Sequence, residues 1–245
     1  MTSSYSILDQ YCDLTSGDIE PYTAKVQSIN TADQIGYYRM NEAAGAVAFD
    51  LSPQVNDGAY TAVTLGEAGI GDGETCALFD GATSYLDIAS LIPDFDPSYF
   101  TFHAWFKVAN AAMWTDGVQY NMFTVTTDGN NLMYFCKSVG VNLVGYRYVA
   151  NGIDSTVHRT GVSSTDWLTM GLTVDAVADE KINYFGGLQV GAVQSGFGTW
   201  AGAPVTAVVG AANLTPANVF DGWQAHFLLV NGIVSPPNMA RLARL

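Results

Sequence analysis

The chain has 245 residues, 49% hydrophobic and only 13% charged, so a large buried core is expected and a disordered chain is not. Nine Lys and Arg stand against 23 Asp and Glu, a formal net charge of −14. That balance excludes a nucleic-acid ligand, which needs a basic face to displace counterions, and an anionic membrane surface. No run of about 18 apolar residues suggests a spanning helix, and MTSSYSILDQYCDL has neither the basic region nor the long apolar stretch of a cleaved signal peptide. Cys12, Cys76 and Cys136 are odd in number and lack CxxC spacing, so buried thiols are expected rather than a disulfide framework.

In chain order, residues 1–34 lack strand alternation and read as an N-terminal arm. The segment PYTAKVQSIN suits a short helix: Pro21 fits the first position, and Tyr22, Val26 and Ile29 form one stripe. A helix this short is marginal unless its stripe is buried, and the expectation is burial against another subunit, with assembly as a homotrimer. From Ile35 onward the pattern is β. In YFTFHAWFKV, Phe100, Phe102, Ala104 and Phe106 alternate with Thr101, His103, Trp105 and Lys107. Further strand candidates are AVTL, ALFDG, YLDIA, NMFTVTT, LMYFCKSV, LVGYRYVA, WLTMGLTV, KINYFGG, PVTAVVGA and GWQAHFLLV, separated by glycine-containing turns. The regular spacing without βαβ alternation predicts an all-β, two-sheet antiparallel sandwich. Phe79, Phe100, Phe102, Phe106, Leu172 and Tyr184 are its expected core. SPPNMARLARL predicts a terminal helix with Ser235 as cap and Met239, Leu242 and Leu245 on one face.

Four blocks in order, GYYRMNEAAGAVAFDLSPQVNDGAY, CALFDGATSYLDI, FTFHAWFKV, and the run from WLTMGLTV through VFDGWQAHFLLVNGIVSPPNMARLARL, resemble a laminin-G-like jelly roll of the concanavalin A-like lectin/glucanase superfamily. The resemblance spans residues 35–245 and implies a jelly-roll sandwich. It also implies the range of roles such domains fill: lectins, glycan hydrolases, adhesion modules and phage structural proteins.

Candidate chemistry is sparse. Asp50, Asn56, Asp57 and Asp221 could supply oxygens for a structural calcium, yet the resemblance implies acidic residues where Ala225 and His226 stand. Asn56-Asp57-Gly58 reads equally as a hairpin turn with Asp50 bonding backbone amides, and that scaffold reading is preferred, with no cofactor expected. Asp94 and Asp96 lie between Pro93 and Pro97, and Asp179 and Glu180 share a hairpin tip, so no retaining-glycosidase pair is proposed. His103, His158 and His226 show no metal-ligand spacing, and GIGDGE reads as a turn. Trp114, Tyr120, Asn121 and Trp200 lie in loop-like sequence; they suit a glycan platform, an interface, or caps on the core.

The expectation from these readings is a non-enzymatic structural or binding protein on the surface of a phage-like virion. A capsid decoration protein is preferred to a tail adhesin, with other virion subunits as partners. A carbohydrate-binding lectin module that recognises a host surface glycan is the alternative, and a glycan hydrolase the third.

Overall fold

The alternation in YFTFHAWFKV becomes the central strand of a sheet that is covered on both faces. The computed structural model describes residues 22–245. Its elements are helix α1 (Tyr22–Gln27) and strands β1 (Gln34–Tyr38), β2 (Val47–Ala48), β3 (Gly58–Thr61), β4 (Thr64–Ala68), β5 (Thr75–Asp80), β6 (Tyr85–Asp87) and β7 (Tyr99–Val108). They continue with β8 (Tyr120–Asp128), β9 (Asn131–Lys137), β10 (Val144–Ala150), β11 (Ile153–Arg159), β12 (Leu168–Asp175), β13 (Glu180–Phe185) and β14 (Leu188–Gln194). The last are β15 (Thr206–Val209), β16 (Asp221–Val230) and helix α2 (Pro236–Leu242). Sheet A runs β14-β13-β12-β7-β16-β5-β4, with β1 paired to the C-terminal half of β16; sheet B runs β11-β10-β9-β8-β15-β6-β3-β2. All named pairings are antiparallel, as the two-sheet jelly roll requires.

The core between the sheets is aromatic. Phe102 on β7 lies 4.4 Å from Phe135, 5.1 Å from Phe123 and 5.2 Å from Phe227, ring centre to ring centre. Phe79, Phe100, Phe106 and Leu172 join this cluster as expected. Tyr184 is equally buried but faces outward, because it pairs with Gly171 on the opposite face of β12.

A second cluster lies on the outer face of sheet A and includes Tyr22, Val26, Ile29, Tyr37, Ile70, Trp105, Val234, Met239 and Leu242. Here the arm reading is corrected. Tyr22, Val26 and Ile29 are buried against their own sandwich, at no more than 3% exposure, and are therefore not free for a subunit interface. The Tyr22 hydroxyl accepts from Trp105 Nε1 (2.7 Å) and donates to the Leu242 carbonyl (2.5 Å). Gln34 Nε2 donates to the carbonyls of Val26 (2.9 Å) and Ile29 (2.8 Å), tying off the end of α1. Residues 22–33 thus belong to the jelly roll; the rest of the expected arm lies outside the described residues. In α2, Met239 and Leu242 are buried as expected, whereas Leu245 is exposed and the Ser235 side chain makes no capping bond.

One strand departs from regular alternation. Ala225 pairs with Trp105 and Leu228 with His103, so His226 and Phe227 of β16 together face Ala104, a bulge with His226 at φ 51°. The extra residue sends Phe227 into the inter-sheet core and His226 to the outer cluster's edge.

Deleting residues 1–29 removes the buried apolar side chains of Tyr22, Val26 and Ile29, and at about 1.5–3 kcal/mol each the melting temperature is expected to fall by roughly 10 °C or more. An unchanged melting temperature in calorimetry would refute the intramolecular role of α1. His103 supplies a second check. It is 2% exposed, and neither ring nitrogen has a partner. Burial, with a smaller push from His226, holds its pKa down to about 3. The unfolded chain, with an ordinary imidazole pKa of about 6.5, binds a proton that the folded chain refuses, so stability falls on acidification between these values. His103→Leu should remove roughly 2 kcal/mol of the stability lost between pH 7 and pH 4.5 in urea titrations. An identical loss in the variant and the parent would count against it.

Candidate functional site

The acidic loop before β3 holds itself together. Asp50, 5% exposed, accepts from the amides of Tyr37 (2.7 Å), Ser52 (2.8 Å) and Asn56 (2.7 Å) and from Ser52 Oγ (2.6 Å). Asp57 Oδ1 accepts the Asp50 amide (2.9 Å), and Asn56 Nδ2 donates to the Ile35 carbonyl (3.1 Å) and to Asp94 Oδ2 (3.0 Å). Asp221 does not join them. Asp50 bridges to Tyr38, which pairs with Phe227, and Asp221 lies six residues back along β16, about 20 Å away. The expected four-residue calcium set is corrected on this point: Asp221 lies elsewhere, and only Asp50, Asn56 and Asp57 are brought together.

The loop aromatics are caps. Trp114 is 1% exposed and donates Nε1 to the Ser164 carbonyl (2.9 Å). Trp200 is buried against Tyr148 and donates Nε1 to Thr127 Oγ1 (3.0 Å). Asn121 is buried, with its amide bonded to Thr124 Oγ1 and Gln119 Nε2, and the Tyr120 hydroxyl donates to Asp116 Oδ2 (2.8 Å). The platform expected from Trp114, Tyr120, Asn121 and Trp200 is therefore not presented to a ligand. Of the acidic residues considered for hydrolysis, Asp94 bonds Asn56, Asp96 the Ser98 amide and Asp179 the Gly196 amide.

A different aromatic group lies on the outer face of sheet A, beside the cluster that α1 and α2 cover. Trp223 on β16 pairs with Lys107 on β7. Leu168 pairs with Phe106, which puts Trp167, the preceding residue, on the Lys107 row. Two half-buried indoles thus flank one lysine across neighbouring strands, both packed on the rim of the outer cluster. Lys107 Nζ sits 4.9 Å from the Trp223 ring centre. Trp167 Nε1 is fixed by the Gly69 carbonyl (3.0 Å). Lys107 Nζ and Trp223 Nε1 have no hydrogen-bond partner among the described residues, and neither is a fully buried orphan. Two residues back on β16, Asp221 pairs with Asp80. Burial, reinforced by the Asp80 charge, raises the Asp221 pKa. Asp80 is also desolvated, but hydrogen bonds from Thr83, Ala82 and Ser84 outweigh this and hold its carboxyl well below the usual range.

The bulge creates a second polar group. His226 Nε2 lies 2.8 Å from Asp72 Oδ2, and His226 Nδ1 lies 2.9 Å from the Tyr37 hydroxyl. Glu74 accepts from Arg39 (2.9 Å), Asn41 (2.9 Å) and Thr23 (3.2 Å), and its amide donates to Asp72 Oδ1 (3.1 Å). Burial favours the neutral form of Asp72, yet the His226 bond and the Glu74 amide prevail and lower its pKa. The GIGDGE turn and His226, separately unremarkable in sequence, are brought together because residues 69–74 fold over the outer face of sheet A, burying Ile70 there.

No family model matches the chain, and no curated protein matches it. Among solved structures it is similar to domain 4 of AbnA, an extracellular GH43 arabinanase from Geobacillus stearothermophilus, in complex with arabinotriose. That match has a TM-score of 0.60 and 13% identity over 86% of this chain and 98% of that one. It is similar to the botulinum neurotoxin serotype D ligand-binding domain in complex with N-acetylneuraminic acid, at TM-score 0.61 and 10% identity over 89% and 52%. The binding domain of Paraclostridial Mosquitocidal Protein 1 matches at TM-score 0.62 and 12% identity over 87% and 52%. The chain spans about half the length of the toxin binding domains it matches. Identities this low show a shared jelly-roll sandwich and nothing finer.

Asp50→Ala leaves four donors without their acceptor and is expected to cost roughly 3 kcal/mol or more. Calcium added to the metal-free parent should leave its melting temperature unchanged. A calcium-dependent gain of several degrees would overturn the scaffold assignment.

Proposed function

We propose that the chain is a non-catalytic binding module whose ligand is a carbohydrate, held on the outer face of sheet A. The observation that carries this reading is the row Trp223–Lys107–Trp167. Indole faces stack on the apolar C–H face of a sugar ring, while the Lys107 ammonium, held by the Trp223 ring and without a hydrogen-bond acceptor among the described residues, and the Trp223 indole N–H bond its hydroxyls. Asp221, beside this row, adds an acceptor. Two structural neighbours were solved with a saccharide, arabinotriose in one and N-acetylneuraminic acid in the other, which supports the class of ligand.

The setting we propose is the surface of a phage-like virion, on the resemblance of residues 35–245. Recognition ranks ahead of capsid decoration here, because Tyr22, Val26 and Ile29 are used within their own sandwich instead of docking onto a shell. Mass spectrometry of purified virions tests the setting separately.

The binding reading is tested on a glycan array, followed by titration calorimetry on the hits. Trp223→Ala should weaken binding at least tenfold with little change in melting temperature, as stacking energies of about 1.5 kcal/mol imply. Trp200→Ala should do the reverse. A parent chain that binds no glycan, or a Trp223→Ala variant that binds as tightly, would sink the proposal.

A further inference from the structure

We propose that Asp72, Glu74 and His226 form a binding site for a divalent zinc-type ion, which staples α1, the 69–74 loop and β16 together. One ligand atom from each residue lies within 4.8 Å of the other two. The His226 and Asp72 side chains are 1% and 6% exposed, and Glu74, at 23%, gives the ion a path to solvent.

The donor set selects the metal. One imidazole nitrogen and two carboxylate oxygens suit Zn²⁺, whereas Ca²⁺ takes oxygen ligands alone. Coordination through Nε2 requires the ring proton on Nδ1, and the buried Tyr37 oxygen stands 2.9 Å away to accept it. Such a partner on the second nitrogen is what fixes a metal-binding histidine. The Tyr37 hydroxyl can in turn turn toward Thr23 Oγ1, 3.5 Å away.

The charges facing the site are compatible with an ion. Arg39 and Thr23 both bond Glu74 Oε1, but Oε2 accepts only from Asn41 and keeps a lone pair for the metal. Arg39 also offsets part of the charge of the two acids. Bringing the ligand atoms to Zn²⁺ distances of about 2.0–2.2 Å needs a shift of the loop. Asp72 sits between Gly71 and Gly73, both at positive φ, and a Cβ on Gly73 would meet nothing within 4 Å, so there is room for it. The ion would act on structure: Thr23 bonds Glu74, and the Tyr22 ring lies 4.6 Å from His226. A carbohydrate at the Trp223 row neither requires nor supplies this metal.

The test uses the full chain, stripped of metal. Zn²⁺ should raise its melting temperature by several degrees, Ca²⁺ should not, and Co²⁺ should give visible d–d absorption. Glu74→Gln, at a partly exposed position, should fold yet bind Zn²⁺ at least tenfold more weakly. His226→Gln should lose the cobalt spectrum, while His158→Gln should behave as the parent. No Zn²⁺ effect on the parent, an equal effect on Glu74→Gln, or an equal response to Ca²⁺ would overturn the site.

Discussion

Between Ala225 and Leu228, β16 carries one residue more than the β7 segment it pairs with, and the arrangement of both faces of sheet A depends on that extra residue. In regular alternation with Gln224 pointing inward, His226 would enter the phenylalanine core and Phe227 would face out. An imidazole without partners in that core would cost several kcal/mol. The bulge reverses the parity after Ala225. Phe227 then packs with Phe102 and Phe123, and His226 meets Tyr37, Asp72 and the Tyr22 ring. The backbone cost is a residue held at φ 51°, and the bond from the His226 amide to the Arg39 carbonyl (3.2 Å) secures it.

From that reversal follows the attachment of the N-terminal segment. Tyr22 closes over His226 and Trp105, Gln34 ties off the end of α1, and Lys25 Nζ reaches the Arg244 carbonyl (2.7 Å). Two short helices from opposite ends of the chain thus cover one apolar patch. Neither would be stable alone, since helices of six and seven residues gain too few internal bonds.

How much was legible depends on whether a residue's environment is set locally. β7 could be read to its last residue because bulky apolar side chains alternate across ten positions. β11 and β14 escaped notice: IDSTVHR and LQVGAVQ are largely exposed edge-side strands with no apolar face strong enough to set a period. The stripe of Tyr22, Val26 and Ile29 was visible, but a stripe records only that something covers it. Whether the cover is another subunit or the same chain is a tertiary fact. Asp50 was readable as turn chemistry because its donors, apart from Tyr37, lie within six residues.

The two candidate sites were hidden for a shared reason. Trp223, Lys107 and Trp167 are far apart in sequence and meet only through register, and in the strands of Trp223 and Lys107 the sequence pattern is dominated by the inward residues. Loop composition drew attention instead to Trp114 and Trp200, whose indole N–H groups turn out to be bonded within the chain. Asp72 and Glu74 are likewise 152–154 positions from His226, and no spacing rule spans such a gap; a bulge and a folded-over loop close it. Sites of this kind consist of what the outer face of a sheet leaves over once helices have covered the rest. In this chain the part of sheet A beneath α1 holds His226 and its acidic partners, and the part that α1 and α2 leave half-covered holds the indoles. Folding of the N-terminal segment therefore determines which outward side chains become structure and which stay available to a ligand.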